Sequence, residues 1–229
     1  NLCLNCHQGR ESTVSVNNLI GDKADDEVSD ALRFLNVHYF AAGATRYGTE
    51  AKGAYEYEGQ EYLGFFDHSK QANQCIDCHP THGLEVDYEF CADCHDDIEI
   101  ESMEDLQNIR YYFDDWDGDG DTDEGIAGEI ATLRDTLYEA MQTYAADTAG
   151  APLVYDSHAY PYFFIDTDGD GAGDDRFTTW TPRLLRAAYN YQYASKDPGA
   201  FAHNGQYIVQ VLQDSLADMG IDVSGMIRP

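Results

Sequence analysis

All six cysteines of the chain fall in three copies of one pattern: Cys3-Leu-Asn-Cys6-His7, Cys75-Ile-Asp-Cys78-His79 and Cys91-Ala-Asp-Cys94-His95. C-x-x-C-H is the attachment site of c-type haem. Two thiols add across the vinyl groups on one edge of the porphyrin, and the next residue offers an imidazole to the iron on its proximal face. Two plainer readings compete. Six cysteines could pair as three disulfides, but a C-x-x-C loop rarely serves as a purely structural disulfide. Cys75, Cys78, Cys91 and Cys94 also have the spacing of a zinc ribbon. Histidine follows every pair, however, and with 8 histidines in 229 residues chance gives that three times at roughly one in ten thousand or less. The sequence therefore predicts three covalently bound haem c groups. Cys3, Cys6, Cys75, Cys78, Cys91 and Cys94 are the attachment points, and His7, His79 and His95 the proximal ligands.

Haem attachment of this kind takes place on the far side of the cytoplasmic membrane in bacteria and archaea. The expected location is extracellular or at the cell surface, with the periplasm as second choice. Forty-three acidic residues face 13 basic ones, a formal net charge of -30, which repels nucleic acid and anionic lipid and attracts cations. Nucleic acid is excluded as a partner. No apolar run approaches the roughly 18 residues that span a bilayer, so no membrane span is expected. The first cysteine at position 3 leaves no room for a leader, which is expected to have been removed or trimmed. Seventeen tyrosines and 20 glycines suit a loop-rich, aromatic-lined protein.

Five histidines remain as distal ligands: His38, His68, His82, His158 and His203. They suffice to close every iron with a second imidazole. Met103, Met141, Met219 and Met226 lie where apolar filling is their expected use. His82, three residues after His79, cannot join it on one iron from opposite faces, so it points to a neighbouring haem. The stretch from His68 through Cys75-Ile-Asp-Cys78-His79-Pro80-Thr81-His82 to Cys91-Ala-Asp-Cys94-His95 resembles the doubled C-x-x-C-H pattern of multihaem cytochromes common in metal- and sulfate-reducing microbes. In that pattern the histidine before the first pair and the one after C-H-x-x are both distal ligands. Phe201-Ala202-His203-Asn204-Gly205-Gln206-Tyr207 resembles the His-Asn-x-x-Tyr helix start that gives a distal ligand in many such proteins. The segment from Asn36 to Tyr57 is similar to extracellular multihaem cytochromes, some of which polymerise into conducting filaments. The resemblance implies His38, His68, His82 and His203 as distal candidates, four for three irons. One is a bystander or serves a haem in a neighbouring subunit.

Two acidic loops suit calcium. Asp115, Asp117, Asp119 and Asp121 alternate with Trp116, Gly118 and Gly120, followed by Glu124; calcium takes six to eight oxygens from such a loop. The twelfth position from Asp115 is Ile126 rather than glutamate, so this is no standard EF-hand, and Glu124 or Glu129 would substitute. Asp166, Asp168, Asp170 and Asp174 repeat the theme. The plain alternative is a solvated acidic turn.

The expected fold is mainly α with extensive loops and a small β-hairpin, organised around the haems. Residues 1–100 form a tri-haem-binding region, and within them 54–57 and 61–63 read as the hairpin. His38 is expected to follow a helix. Residues 101–229 form a helical region carrying the acidic loops, packed back on the haems as one unit. Ile126, Ile130, Leu133, Leu137, Met141 and Tyr144 keep helical spacing. Pro182 opens a helix with Leu184, Leu185, Ala188 and Tyr191. A last helix runs from about Asn204 to Leu216, with Tyr207, Ile208, Val211, Leu212 and Leu216 inward.

The expected function is electron transfer rather than enzymatic catalysis. Its partners would be redox proteins or extracellular acceptors, and the haem near the first residue suggests a head-to-tail homopolymer with inter-subunit haem contacts. The alternatives are a monomeric periplasmic carrier, a multihaem reductase with one open iron, and a calcium-dependent surface module.

Overall fold

The computed structural model describes residues 2–69, 71–81, 83, 85–96 and 98–229. Among these, five short helices come first: α1 (Thr13–Ile20), α2 (Ala42–Tyr47), α3 (Cys75–Cys78), α4 (Tyr88–Ala92) and α5 (Met103–Gln107). The long α6 (Ile126–Tyr144) follows, then strands β1 (Leu153–Tyr155), β2 (Phe163–Ile165) and β3 (Asp175–Arg176), and finally α7 (Pro182–Ser195) and α8 (Ala200–Asp218). α6, α7 and α8 pack on one another, and α2 packs on α8.

The three long helices lie where apolar residues recur at helical spacing. α6 buries Ile130, Leu133, Leu137 and Met141, a stripe that one face of a 3.6-residue helix presents to a core. α7 starts where Thr181 accepts a hydrogen bond from the Leu184 N–H and Pro182 needs no partner for its missing one. It is buried nearly all round. α8 breaks at Asn204, whose backbone is extended. The Asn204 Oδ1 accepts from Tyr207 N at 3.3 Å and its Nδ2 donates to the Gly64 carbonyl at 3.0 Å. Asn204 thus acts as an N-cap inside the element. The expected start of the last helix coincides with this break, and the extra turn Ala200–His203 ahead of it aims His203 separately.

The hairpin expected at 54–63 is not formed. Side chains take the backbone groups that a second strand would need. Asn190 Oδ1 accepts from Tyr55 N at 2.7 Å and its Nδ2 donates to Tyr55 O at 3.0 Å. Thr13 Oγ1 donates to Ala54 O and accepts from Glu56 N, while Gln210 Oε1 takes Leu63 N. The β-structure lies in the other half instead, as a three-stranded antiparallel sheet in the order β1-β2-β3 with Val154 opposite Phe164 and Ile165 opposite Asp175. The helix expected ahead of His38 is also absent: residues 22–41 run as turns and extended chain. Gln192 Oε1 holds Val37 N at 2.9 Å, and Phe34 inserts into a ring cluster with Phe163 (4.6 Å between centroids) and Trp180 (6.0 Å). Both anchors sit on the second half of the chain, beyond the reach of local propensity.

Asn190 is fully buried and also donates to Ser215 Oγ at 2.9 Å. Replacing it by alanine strands the Tyr55 amide and carbonyl in a dry interior. Asn190→Ala is expected to cost about 2–4 kcal/mol, measured by denaturant unfolding; a loss below about 1 kcal/mol would show that water reaches these groups.

Candidate haem sites

The three cysteine motifs share one local conformation. The histidine N–H donates to the carbonyl of the first cysteine in each: His7 to Cys3 at 2.9 Å, His79 to Cys75 at 2.9 Å and His95 to Cys91 at 3.0 Å. That bond closes a single helical turn. Residues three and four apart then share a face, so two thiols and one imidazole point the same way from a short stretch of chain. Gln74 and Asp87 cap the turns of α3 and α4. Cys3, Cys75, Cys78 and Cys91 are half-buried, and Cys6 and Cys94 exposed.

Two proximal histidines each come close to one distal candidate, a pairing that the sequence does not give. The rings of His68 and His95 lie 6.1 Å apart between centroids, and those of His79 and His203 6.3 Å apart. A metal–imidazole bond of about 2.0 Å plus about 1.1 Å from nitrogen to ring centre puts two imidazoles on opposite sides of one metal about 6.2 Å apart. Burial pulls the His79 imidazole below its usual range, helped by repulsion from His203 and His7. Burial does the same for His68, helped by His95 and against a hydrogen bond with the backbone of Ala202. By accessible area His68 keeps an open edge, but the surrounding protein still disfavours its charged form. A neutral imidazole is the form that binds metal.

Among the described residues the remaining histidines form no such ring pair with another imidazole. His7 is exposed and close enough to His79 to oppose its protonation. His38 is exposed, in left-handed backbone at φ 75, with its ring edge-on to Tyr39 at 4.4 Å. His158 is exposed and bonded to Ser157 and Asp156. His82 lies outside the described residues. Met141 is in the core, and Met103 is exposed at the first position of α5, after the N-cap Ser102.

The segment that carries four of the cysteines has no core of its own. Among the described residues from 57 to 99 none is buried, whereas α6, α7 and α8 are anchored by fully buried Leu133, Leu185, Tyr207 and Leu212. Chain that orders about 40 residues loses backbone entropy at each of them, and apolar mass must offset it. Phe65 and Ile76 are exposed apolar groups that a porphyrin would cover. Paired imidazoles, adjacent thiols and these exposed apolar side chains together fit porphyrin.

Asp197 is a site residue that the motifs do not reveal. It is 2% exposed, and its two carboxylate oxygens lie 2.8 and 3.0 Å from His203 Nδ1. The only sequence signal is a turn, Asp-Pro-Gly, ahead of a helix; nothing there says which side chain the aspartate meets.

The two acidic loops fold alike. Asp115 accepts from Gly118 N and Gly120 N, as Asp166 does from Gly169 N and Gly171 N. Asp117 and Asp119, and likewise Asp168 and Asp170, each accept from the amide two residues on. Carboxylate oxygens of Asp115, Asp117 and Glu129 lie within 4.8 Å of one another, as do those of Asp117, Asp119 and Glu124, and of Asp166, Asp168 and Asp174. Asp121 and Asp170 stand outside these clusters among the described residues. Glu129, reached from α6, joins the first loop. Asp117 is 6% exposed, and its Oδ2 has no hydrogen-bond partner among the described residues. Burial, then repulsion from Asp117 and Glu129, pushes the Glu124 carboxyl up to about 7.

Comparison with known proteins agrees with the motifs. The polyheme c-type cytochrome OmcB of Geobacter sulfurreducens, in strains DL-1/KN400 and PCA alike, is 27% identical over 248 residues, 94% of this chain and 30% of its own length. The polyheme c-type cytochrome OmcC of Geobacter sulfurreducens is 27% identical over 254 residues, 94% of this chain and 29% of its own. This chain therefore spans less than a third of these relatives. No family model matches it, and no solved structure does. The expected resemblance to multihaem c-type cytochromes holds along nearly the whole chain. No helix among the described residues is long and apolar enough to cross a membrane.

Proposed function

We propose that this chain transfers electrons through three covalently bound c-type haems, each iron held between two imidazoles. The observation that carries the reading is the pair of ring separations, 6.1 and 6.3 Å, both at the span of two ligands across one metal. Cys75, Cys78 and His79 would hold one haem with His203 as its distal ligand. Cys91, Cys94 and His95 would hold a second with His68, and Cys3, Cys6 and His7 a third, with His38 and His82 as its candidates. Each haem, when bound, supplies an iron that exchanges one electron at a time. The protein's own part would be to offer an imidazole nitrogen to the iron from each side, which would leave no position open for a substrate. That argues for a carrier and against a reductase. Residues 1–100 bear the haems, and 101–229 support them and lend a ligand from α8.

Ligand variants of the haem-loaded protein test this directly. His203→Ala and His68→Ala are each expected to convert one of three low-spin haems to a high-spin signal in electron paramagnetic resonance, leaving haem content unchanged. Unaltered low-spin spectra in both variants would end the bis-histidine reading.

The reading extends to an extracellular or surface location, redox proteins or external acceptors as partners, and a head-to-tail homopolymer. The support for the polymer is that His38 and His82 compete for one remaining iron, so that one could serve a neighbouring copy. Negative-stain images of dispersed monomers alone would remove it. Calcium in the first acidic loop, on Asp115, Asp117, Asp119, Glu124 and Glu129, is supported by the buried, unpartnered Asp117 Oδ2. In the second loop Thr167 and backbone amides already occupy Asp166, Asp168 and Asp174, so the case there rests on the shared loop shape. Calorimetric titration without a calcium-binding heat would exclude the ion at both.

A further inference from the structure

The two imidazole pairs differ in the group that meets the distal histidine. For His68 it is the neutral backbone of Ala202. For His203 it is a carboxylate: Asp197 lies 2.8 Å from Nδ1, leaving Nε2 as the nitrogen free for a metal. The arrangement is built into the turn that precedes Asn204. Ala200 N donates to Asp197 O at 3.0 Å and His203 N to Gly199 O at 3.0 Å, which folds the His203 ring back over residue 199. A Cβ on Gly199 would sit 2.9 Å from His203 Cε1 and 3.3 Å from Nδ1. Glycine is what lets the ring lie close enough to reach Asp197.

We propose that Asp197 is a positioning residue that fixes His203 by its Nδ1–H and lowers the reduction potential of the haem at His79 and His203 below that of the haem at His68 and His95. The inference rests on the bis-histidine reading above. A hydrogen bond from Nδ1–H to a carboxylate raises the donor strength of the opposite nitrogen and locks the ring's orientation. The oxidised iron carries one more positive charge than the reduced one, so a nearby carboxylate favours the oxidised form. Asp197 is shielded from water, where such an interaction is least screened. Among the described residues His203 is its one ion-pair partner, and the ammonium of the adjacent Lys196 lies over the Tyr162 ring instead, 5.5 Å from its centroid. Ala202, beside His203 in the chain, gives His68 no comparable charge. One turn of backbone thus sets two adjacent sites at different potentials.

The test is a spectroelectrochemical titration of the haem-loaded protein. In Asp197→Asn one of the three potentials is expected to rise, with the reduction equilibrium at that site moving about tenfold, or about 59 mV for a one-electron couple. The other two are expected to stay within about threefold. Asp197→Glu, which keeps the charge, is expected to restore most of the wild-type value. Gly199→Ala, which pushes the ring off the carboxylate, is expected to move the same potential in the same direction and serves where the Asn variant loses haem. Three unchanged potentials in Asp197→Asn and Gly199→Ala, or a Glu variant no different from Asn, would overturn the proposal. His203→Ala separates the two levels. If it yields a high-spin haem while Asp197→Asn moves nothing, the Asp197 proposal alone fails; if it leaves every haem low-spin, the ligand reading beneath it fails.

Discussion

Replacing Cys75 and Cys78 together by alanine is expected to remove one of three haems and to open the segment from Tyr57 to Glu99 to proteolysis, while α6, α7 and α8 stay folded. Among the described residues of that segment none is buried. Its helices, Cys75–Cys78 and Tyr88–Ala92, are far below the roughly 12 residues at which an isolated helix becomes even marginal in water. What would hold them is thioether attachment and contact with porphyrin. The Cys78 thiol lies close enough to Cys91 to raise its pKa, after burial, so the second and third motifs are neighbours and losing one haem would expose a face of the next. The core of α6, α7 and α8 is made of protein side chains, Leu133, Leu185, Tyr189 and Leu212 among them, and needs no cofactor. Haem stoichiometry by pyridine haemochrome and digestion with a glutamate-specific protease, which has sites at Glu85 and Glu89, check both halves. A variant that keeps three haems, or cleavage no faster than in wild type, would contradict the account.

The contrast between these two regions explains what could be read from the sequence. The motifs were legible because attachment chemistry is local: three residue types at fixed spacing in one turn. α6, α7 and α8 were legible because their apolar periodicity persists over several turns. The three-stranded sheet escaped because its strands are two or three residues long, too short to show alternation. The segment 54–63 alternates like a hairpin, yet Asn190 and Gln210 from α7 and α8 claim its backbone. Such side-chain capture depends on tertiary neighbours that no window of sequence contains. The pairing of His79 with His203 has the same character. His203 could be named as a ligand from its own motif, but its partner His79 lies over 120 residues away in the chain and meets it only in the folded protein.

The largest loss of stability away from the haems is expected at Glu129, which is fully buried. Its Oε2 accepts from Trp116 N at 3.0 Å and Asp117 N at 2.9 Å, and its Oε1 pairs with Arg110 Nη2 at 2.7 Å. Burial pushes its carboxyl up, against the pull of Arg110. Glu129→Ala leaves a buried guanidinium without its carboxylate and two amides without an acceptor, a loss of about 3–5 kcal/mol. The damage reaches α8, because Gln213 Nε2 donates to Trp116 O at 2.6 Å and Ile227 N to Asp115 O at 2.8 Å. Glu129→Gln keeps an acceptor for the amides but not the charge, and its cost in metal-free buffer is expected to be about 1–3 kcal/mol. Calcium separates the loop's two roles. If the loop binds the ion as proposed, wild type at a hundredfold excess of calcium over its dissociation constant is expected to gain about 2.7 kcal/mol, and the Gln variant, lacking one anionic ligand, to lose most of that gain at the same calcium concentration. Denaturant unfolding of both proteins with calcium and with chelator measures the difference. Wild-type curves that coincide in the two buffers would leave the loop a hydrogen-bonded turn without an ion, and a Glu129→Ala loss under about 1 kcal/mol would mean that Arg110 finds another partner when the carboxylate is gone.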